Sequence, residues 1–277
     1  MLRTSAPLIG ALGVRITPMR EPVTGYTQSE HRAIERFLRA RTIPLCYEHD
    51  GRAFVQGTGT FFRLSGKLFL VTAAHILEDI DPALLGVPDR PSGNVSVWNL
   101  NDITIHHPRD TENFDVAVIE LLNPNFHARV ASSWHFIDET DVIEPEEVEE
   151  DEYLLAGYPT ETVEDKNGIL TPQPMLQLFT KRLDKPENDN APDYDLLLKY
   201  PKRGRGIFGA ERNTPRLQGV SGAAVYVRTK RESSVWSPEQ LFRPVGLQVS
   251  VQHGDFIRVK RWMLLWRLFE LIGQIKS

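Results

Sequence analysis

The chain has 277 residues, of which 41% are hydrophobic and 25% charged, with a formal net charge of -5. That length and composition allow a sizeable buried core without covalent help and exclude a nucleic-acid binder that relies on bulk positive charge. A single cysteine, Cys46, excludes an internally disulfide-stapled domain and points to a reducing compartment, the cytoplasm. No window approaches the roughly 18 uncharged apolar residues of a membrane-spanning helix, so no membrane partner is expected. The apolar run Ala6 to Val14 follows Arg3 but is interrupted by Pro7, Gly10 and Gly13, which does not suit a signal peptide.

Residues 1–28 read as an irregular arm. A helix signal begins at Thr27-Gln28-Ser29-Glu30, with Ser29 as the expected cap. Ile34, Phe37 and Leu38 share one helical face, and Pro44 sets the end near Arg41. Residues 1–43 therefore form an N-terminal arm and helix. From Pro44 the apolar period becomes that of strands. Asp50-Gly51 is a hairpin signal, and Gly57 and Gly59 are expected to break the following segment. Thr60 to Leu64, Ser65-Gly66 and Lys67 to Thr72 read as a second hairpin. Val95 to Leu100 and Ile103 to His106 are short strands, and Phe114 to Leu122 is a buried one.

The run Glu144 to Glu152 is almost entirely acidic, has nothing to bury, and reads as a linker over 144–152. It separates a first β unit, 44–143, from a second, 153–277. The second carries strand patterns at Tyr153–Ala156, Met175–Thr180, Asp195–Tyr200, Ala223–Arg228 and Val245–Gln252. It ends in an amphipathic helix, Lys260 to Ile275, with Trp262, Leu265, Phe269 and Ile272 at spacings of three and four. Two β units of similar size predict an all-β double barrel with a cleft between the halves.

Three segments carry residue types that work together in chemistry. Leu70-Val71-Thr72-Ala73-Ala74-His75 brings a histidine to a strand end. Asn113-Phe114-Asp115-Val116-Ala117-Val118 sets an aspartate before an apolar strand, and Gly219-Val220-Ser221-Gly222 holds a serine between glycines. A serine hydroxyl is a weak nucleophile until a neutral imidazole takes its proton, and a carboxylate on the far ring nitrogen fixes the tautomer. Glycines let two backbone N–H groups turn toward one developing oxyanion. The rival serine elbow, G-x-S-x-G, fails because Ala223 stands at its last position.

Thr72-Ala73-Ala74-His75, Phe114-Asp115-Val116-Ala117-Val118 and Gly219-Val220-Ser221-Gly222, in that chain order, resemble the signature segments of the trypsin-like serine peptidases. The resemblance spans residues 44–277, and the lack of disulfides or an export signal is similar to the stand-alone bacterial members. It implies two six-stranded antiparallel barrels of the chymotrypsin type, with an N-terminal and a C-terminal helix. It also implies His75 as general base and acid, Asp115 as orienting carboxylate, Ser221 as nucleophile, and the N–H groups of Gly219 and Ser221 as the oxyanion hole. Val245-Gly246-Leu247 resembles the start of the pocket strand, and the implied substrate-binding residues are Pro215, Ser250 and His253. Pro215, six residues before the serine, carries no charge, so a preference for Arg or Lys is not implied. In the family a C-terminal helix is expected to pack on the second barrel. The expected partner is a protein or peptide substrate, with no cofactor and no metal.

Ala223 and Ala224 replace the Gly and Pro that follow the family's serine, which keeps open a catalytically inactive relative acting as a protein-binding module. The arm outside the matched region motivates a third reading, a peptidase latent until a regulatory protein, a nucleotide or a proteolytic cut activates it. Elsewhere the bland readings win. His106-His107 lacks further ligands at metal spacing, Cys46 is a small core residue, and Lys202-Arg203-Gly204-Arg205 with Arg212 is a solvated basic loop. Basic residues beside Trp262 and Trp266 suit a membrane surface less well than a packed helix.

Overall fold

A computed structural model of the chain describes residues 25–49, 52–78, 80–91, 96–107, 114–143, 151–160, 164–166, 169–171, 175–184, 195–205, 211–230, 236–252 and 254–273. The arm, most of the acidic linker and His253 lie outside the described residues. Strands dominate: β1 (Ile43–His49), β2 (Arg52–Leu64), β3 (Lys67–Thr72), β4 (Leu85–Pro88), β5 (Val97–Asn99), β6 (Ile103–His106), β7 (Ala117–Leu121) and β8 (Ile137–Asp138) make the first sheet. Its order is β5-β4-β1-β2-β3-β7-β6, antiparallel, with β8 added in parallel to β2. The extra short strands carry it beyond the expected six.

β2 is one long strand, not the broken segments the glycines suggested. It pairs with β1 up to Gly59 and with β3 from Thr60 onward, and so bends the sheet over itself. Gly57 and Gly59 serve that bend: a side chain at Gly57 would overlap Ile76, and one at Gly59 would stand 2.8 Å from Leu70. Ser65 and Gly66, both at positive φ (49° and 79°), turn β2 into β3 as the hairpin signal indicated.

The second sheet takes β9 (Tyr153–Gly157), β12 (Leu176–Thr180), β13 (Asp195–Lys199), β16 (Ala224–Arg228), β17 (Phe242–Gln252) and β18 (Phe256–Arg261). Two small hairpins, β10 (Glu164–Lys166) with β11 (Ile169–Thr171) and β14 (Arg203–Arg205) with β15 (Glu211–Asn213), stand apart from it. Its order is β12-β9-β16-β17-β18-β13. Beyond β12, Arg182 pairs with Leu198, and Lys199 and Leu183 donate backbone N–H groups to Lys181 and Leu197. The outer strands thus meet, and the sheet returns on itself as a six-stranded barrel. A buried Asp195 carboxylate, bound by Arg258 at 2.8 Å and Lys260 at 2.7 Å, ties β13 to β18. Those cations are therefore not part of an exposed basic face.

Helices cross over between the two units. The N-terminal helix, α1 (Gln28–Arg39), is capped by Thr27 rather than Ser29. Thr27 Oγ1 accepts from Glu30 N while Glu30 accepts from Thr27 N at 2.6 Å, a reciprocal box that Ser29 is two positions too late to make. α1 buries Ile34, Phe37 and Leu38, and the Phe37 ring sits 5.3 Å from Tyr226 of the second sheet. A helix absent from the sequence reading, α2 (Pro124–Ser133), follows β7, with Asn123 as its cap and Pro124 in its first turn. The C-terminal helix, α3 (Trp262–Leu271), starts later than expected because Phe256–Arg261 is spent as a strand. It runs against β17 and β18 of the second sheet as expected, and its aromatic face also lies on the first sheet. Trp262 stacks on Phe62 at 5.4 Å and Phe269 meets Phe69 at 5.0 Å. Phe62 and Phe69 face each other across β2 and β3 and need a cover, and the chain supplies one from its far end. Among the described residues, no helix is long and apolar enough to cross a membrane.

Candidate functional site

The site is built from the ends of strands. β3 and β7 pair antiparallel with Thr72 opposite Ala117. The residues just past the end of β3 and just before the start of β7 therefore emerge together, which puts His75 beside Asp115. Past β3 the chain makes a short 3-10 turn over Ala74–Leu77, which lifts His75 to an exposed position while Ala74 and Ile76 stay buried. Asp115 closes on this turn with every acceptor it has. Its carboxylate lies 2.9 and 3.0 Å from His75 Nδ1 and accepts from His75 N at 3.0 Å, and its carbonyl accepts from Ala74 N at 3.2 Å. This geometry needs a left-handed backbone at Asp115 (φ 41°), a conformation that Asp tolerates better than most residues. The carboxylate's hydrogen bond raises the His75 pKa above its ordinary value; burial opposes this, and the charges of Asp115 and Glu78 add to the rise. The imidazole is thereby oriented with Nδ1 toward the acid, leaving Nε2 for chemistry.

Ser221 comes from the other sheet, in the turn that enters β16. Val220 is buried under this turn, filling the space that a side chain at Gly157 would occupy. The peptide groups of the turn can be accounted for one at a time. Gln218 O accepts from Thr160 N at 2.9 Å, and Val220 N donates to Leu217 O at 2.9 Å. Val220 O accepts from Ala223 N at 3.0 Å, Ser221 O from Thr58 N at 2.9 Å, and Gly222 N donates to Gln248 O at 2.7 Å. Among the described residues, the N–H groups of Gly219 and Ser221, like that of Gln218 where the turn begins, are left without an acceptor. Gly219 (φ 89°) and Gly222 (φ 88°) both hold left-handed backbone. A side chain on Gly222 would overlap Thr58 O and Thr72 Oγ1 and stand 3.0 Å from Ala73 N. That closeness sets the serine turn against Thr72-Ala73, two residues from His75.

Not every expected contact is made. Ser221 Oγ, half-buried, donates to Val249 O at a long 3.4 Å rather than to His75. Pro215 is half-buried and its carbonyl accepts from the Tyr200 hydroxyl, so that carbonyl is engaged within the fold. Ser250 is exposed near the end of β17, opposite Arg258. A cavity of about 510 Å³ opens beyond that strand end beside Tyr200, Gln252 and Phe256, and neither Pro215 nor Ser250 lines it. Ala223 is fully buried in the second core and its carbonyl accepts from Gln248 N, so the departures after the serine are taken up as packing.

Other reactive side chains are tied elsewhere. Cys46 is fully buried, and burial pushes its thiol pKa far up. His106 leans on Glu120, which also holds Lys67. Among the described residues, no three His, Cys, Asp or Glu side chains gather as a metal site.

Sequence reasoning missed the scaffold of the serine turn. Thr58, Thr160, Gln218 and Gln248 carry no chemistry of their own and act mostly through backbone groups. Only Thr58, set between two glycines, leaves a mark on the sequence.

No family model matches the chain, and no curated protein does either. Similarity to solved structures is found. The protease Anisep from Arthrobacter nicotinovorans aligns with a TM-score of 0.51 at 13% identity, over 85% of this chain and 96% of that one. The serine protease domain of the Sesbania mosaic virus polyprotein aligns with a TM-score of 0.44 at 13% identity, over 86% of this chain and 94% of that one. At such identity the likeness to Anisep is one of fold: two curled antiparallel sheets with flanking helices, the chymotrypsin-like architecture.

Proposed function

We propose that the protein is a serine endopeptidase in which Ser221 attacks the scissile carbonyl, His75 takes and returns the proton, and Asp115 orients the imidazole. The observation that carries this reading is the pairing of two prepared halves. A histidine is held on Nδ1 by a carboxylate, and a serine turn set against Thr72 and Ala73 keeps the N–H groups of Gly219 and Ser221 unpaired. In the reaction Ser221 Oγ leaves Val249 O by rotation about its Cα–Cβ bond and bonds to His75 Nε2. Attack then forms a tetrahedral intermediate whose oxyanion takes the two free N–H groups, with each donor contributing about 3 kcal/mol. Collapse releases the amine with the proton from His75, and water repeats the sequence on the acyl-enzyme. Its substrate is a protein or peptide, and no step calls for a cofactor or metal.

Labelling with a serine-directed fluorophosphonate tests the assignment. Wild-type protein is expected to take one label at Ser221, and Ser221→Ala is expected to lose both the label and peptide hydrolysis, a fall of about 10⁶-fold in kcat. Folded wild-type protein that takes no label, or a label that persists in Ser221→Ala, overturns the reading. The first result would favour a binding module on the same fold.

A further inference from the structure

Thr58 occupies a place in the middle of β2 that makes it more than a core residue. It is fully buried and bonds with four groups on three segments. Its N–H donates to Ser221 O at 2.9 Å, its hydroxyl donates to Gly219 O at 2.7 Å and accepts from Tyr158 N at 3.4 Å, and its carbonyl accepts from Thr72 Oγ1 at 2.8 Å. One residue of the first sheet thus grips the serine turn at two carbonyls, Gly219 and Ser221. It is itself gripped by Thr72 at the end of β3, three residues before His75.

The hydroxyl bond is the informative one. The backbone N–H bond to Ser221 O is available to any residue but proline at this position. The bond to Gly219 O requires a side-chain donor of this reach. Gly219 O belongs to the peptide that stands between the two peptides carrying the free N–H groups of Gly219 and Ser221. The N–H of that peptide is held by Leu217 O at 2.9 Å and its oxygen by Thr58, so at a glycine, whose backbone turns readily, the hydroxyl fixes the second of the two ends. Inside the protein an unmet carbonyl is costly, so a missing hydroxyl favours any turn of the peptide that finds another donor.

We infer that Thr58 is a positioning residue: its side-chain hydroxyl locks the Gly219–Val220 peptide and thereby holds the oxyanion donors in register with the His75 side of the cleft. This role rests on the serine-peptidase reading above and deepens it. It also explains why a threonine stands between Gly57 and Gly59, where the approach of neighbouring side chains leaves no room for larger residues on either side.

The test uses the full chain and the rate of fluorophosphonate labelling at Ser221, separated into the maximal rate and the half-saturating concentration. Thr58→Val keeps shape and backbone N–H but removes the hydroxyl. It is expected to lower the maximal rate about 10- to 100-fold with little change in half-saturation. Thr58→Ser restores a hydroxyl donor and is expected to recover most of that loss. The His75 imidazole titration, followed by NMR, is expected to stay as in wild type in both variants, because the His75–Asp115 pair does not pass through Thr58. Should Thr58→Val fail to fold, Thr58→Ala carries the same expectation. Labelling of Thr58→Val at the wild-type rate overturns the inference, and so does a Thr58→Ser variant as slow as Thr58→Val. Wild-type labelling that does not depend on Ser221 instead overturns the peptidase reading, and the two failures are thereby told apart.

Discussion

The two halves of the site are built by different means. The His75–Asp115 half belongs to one sheet. Its geometry follows from the register of β3 on β7 and from four bonds within one strand-end pair. The Ser221 half is held by bonds to its own sheet at Gln248 and also by contacts that cross between sheets: Thr58 to Ser221 and Gly219, and Gly222 against Thr72 and Ala73. Local pairing makes the first half self-sufficient, whereas the second depends on how the two sheets dock. Docking in turn depends on α1, which lies on the second sheet, and on α3, which touches β17 and β18 of the second and turns its aromatic face to the first.

That contrast can be broken at its strongest point first. Asp115→Asn should keep the shape of the first half but lose the carboxylate, and kcat is expected to fall by about 10⁴-fold. The same change acts on pH dependence. Because Asp115 raises the His75 pKa, the neutral base is lost on acidification at a pH above the ordinary histidine value of 6.5. Removing the carboxylate should move that acid limb downward, as seen in the pH profile of the residual rate. An acid limb that moves upward contradicts the assignment of Asp115.

Phe269→Ala is expected to have the next largest effect, destabilising the protein by roughly 4 kcal/mol in denaturant unfolding, since Phe269 is fully buried between Phe62 and Phe69. If α3 clamps the two sheets, the fluorophosphonate rate should fall well before the fold melts, while the His75 titration persists. Equal losses in both halves would show that the sheets do not part.

Gly222→Ala sharpens the contrast at the smallest scale. The added methyl group overlaps Thr58 O and Thr72 Oγ1 at a left-handed residue and is expected to cost about 3 kcal/mol in stability. Labelling at Ser221 should slow, with the His75 pKa remaining raised. A lowered His75 pKa in this variant would show that the halves are coupled more tightly than their bonds suggest.

Much of the site was legible because its residues are marked by neighbours of distinctive type. Thr72-Ala73-Ala74-His75 ends an apolar strand, Asp115 precedes one, and Ser221 stands between glycines. Hairpin β2–β3 was legible from Ser65-Gly66, since few residue pairs accept two left-handed positions. The rest was hidden for identifiable reasons. Gly57 and Gly59 looked like breaks in β2, but glycine also permits close packing inside a strand, and only the positions of Ile76 and Leu70 tell the two uses apart. The helix at Pro124–Ser133 has few apolar residues and a weak period, so its cap Asn123 and Pro124 were its clearest signal. Residues that would line a substrate pocket carry the weakest signal, because pocket walls are assembled from loops whose sequence carries no period.

By itself, the sequence determined the β-rich class, the two successive strand-forming units, the amphipathic end helices, and the order and local setting of His75, Asp115 and Ser221. These follow from periodicity and turn chemistry, which act over a few residues. Only the tertiary structure decided that α3 covers the first sheet and α1 the second, that β12 closes onto β13, and that Thr58 reaches across to the serine turn. Those choices depend on which buried surfaces and unmet backbone groups find partners far along the chain, and such pairing leaves no local pattern to read.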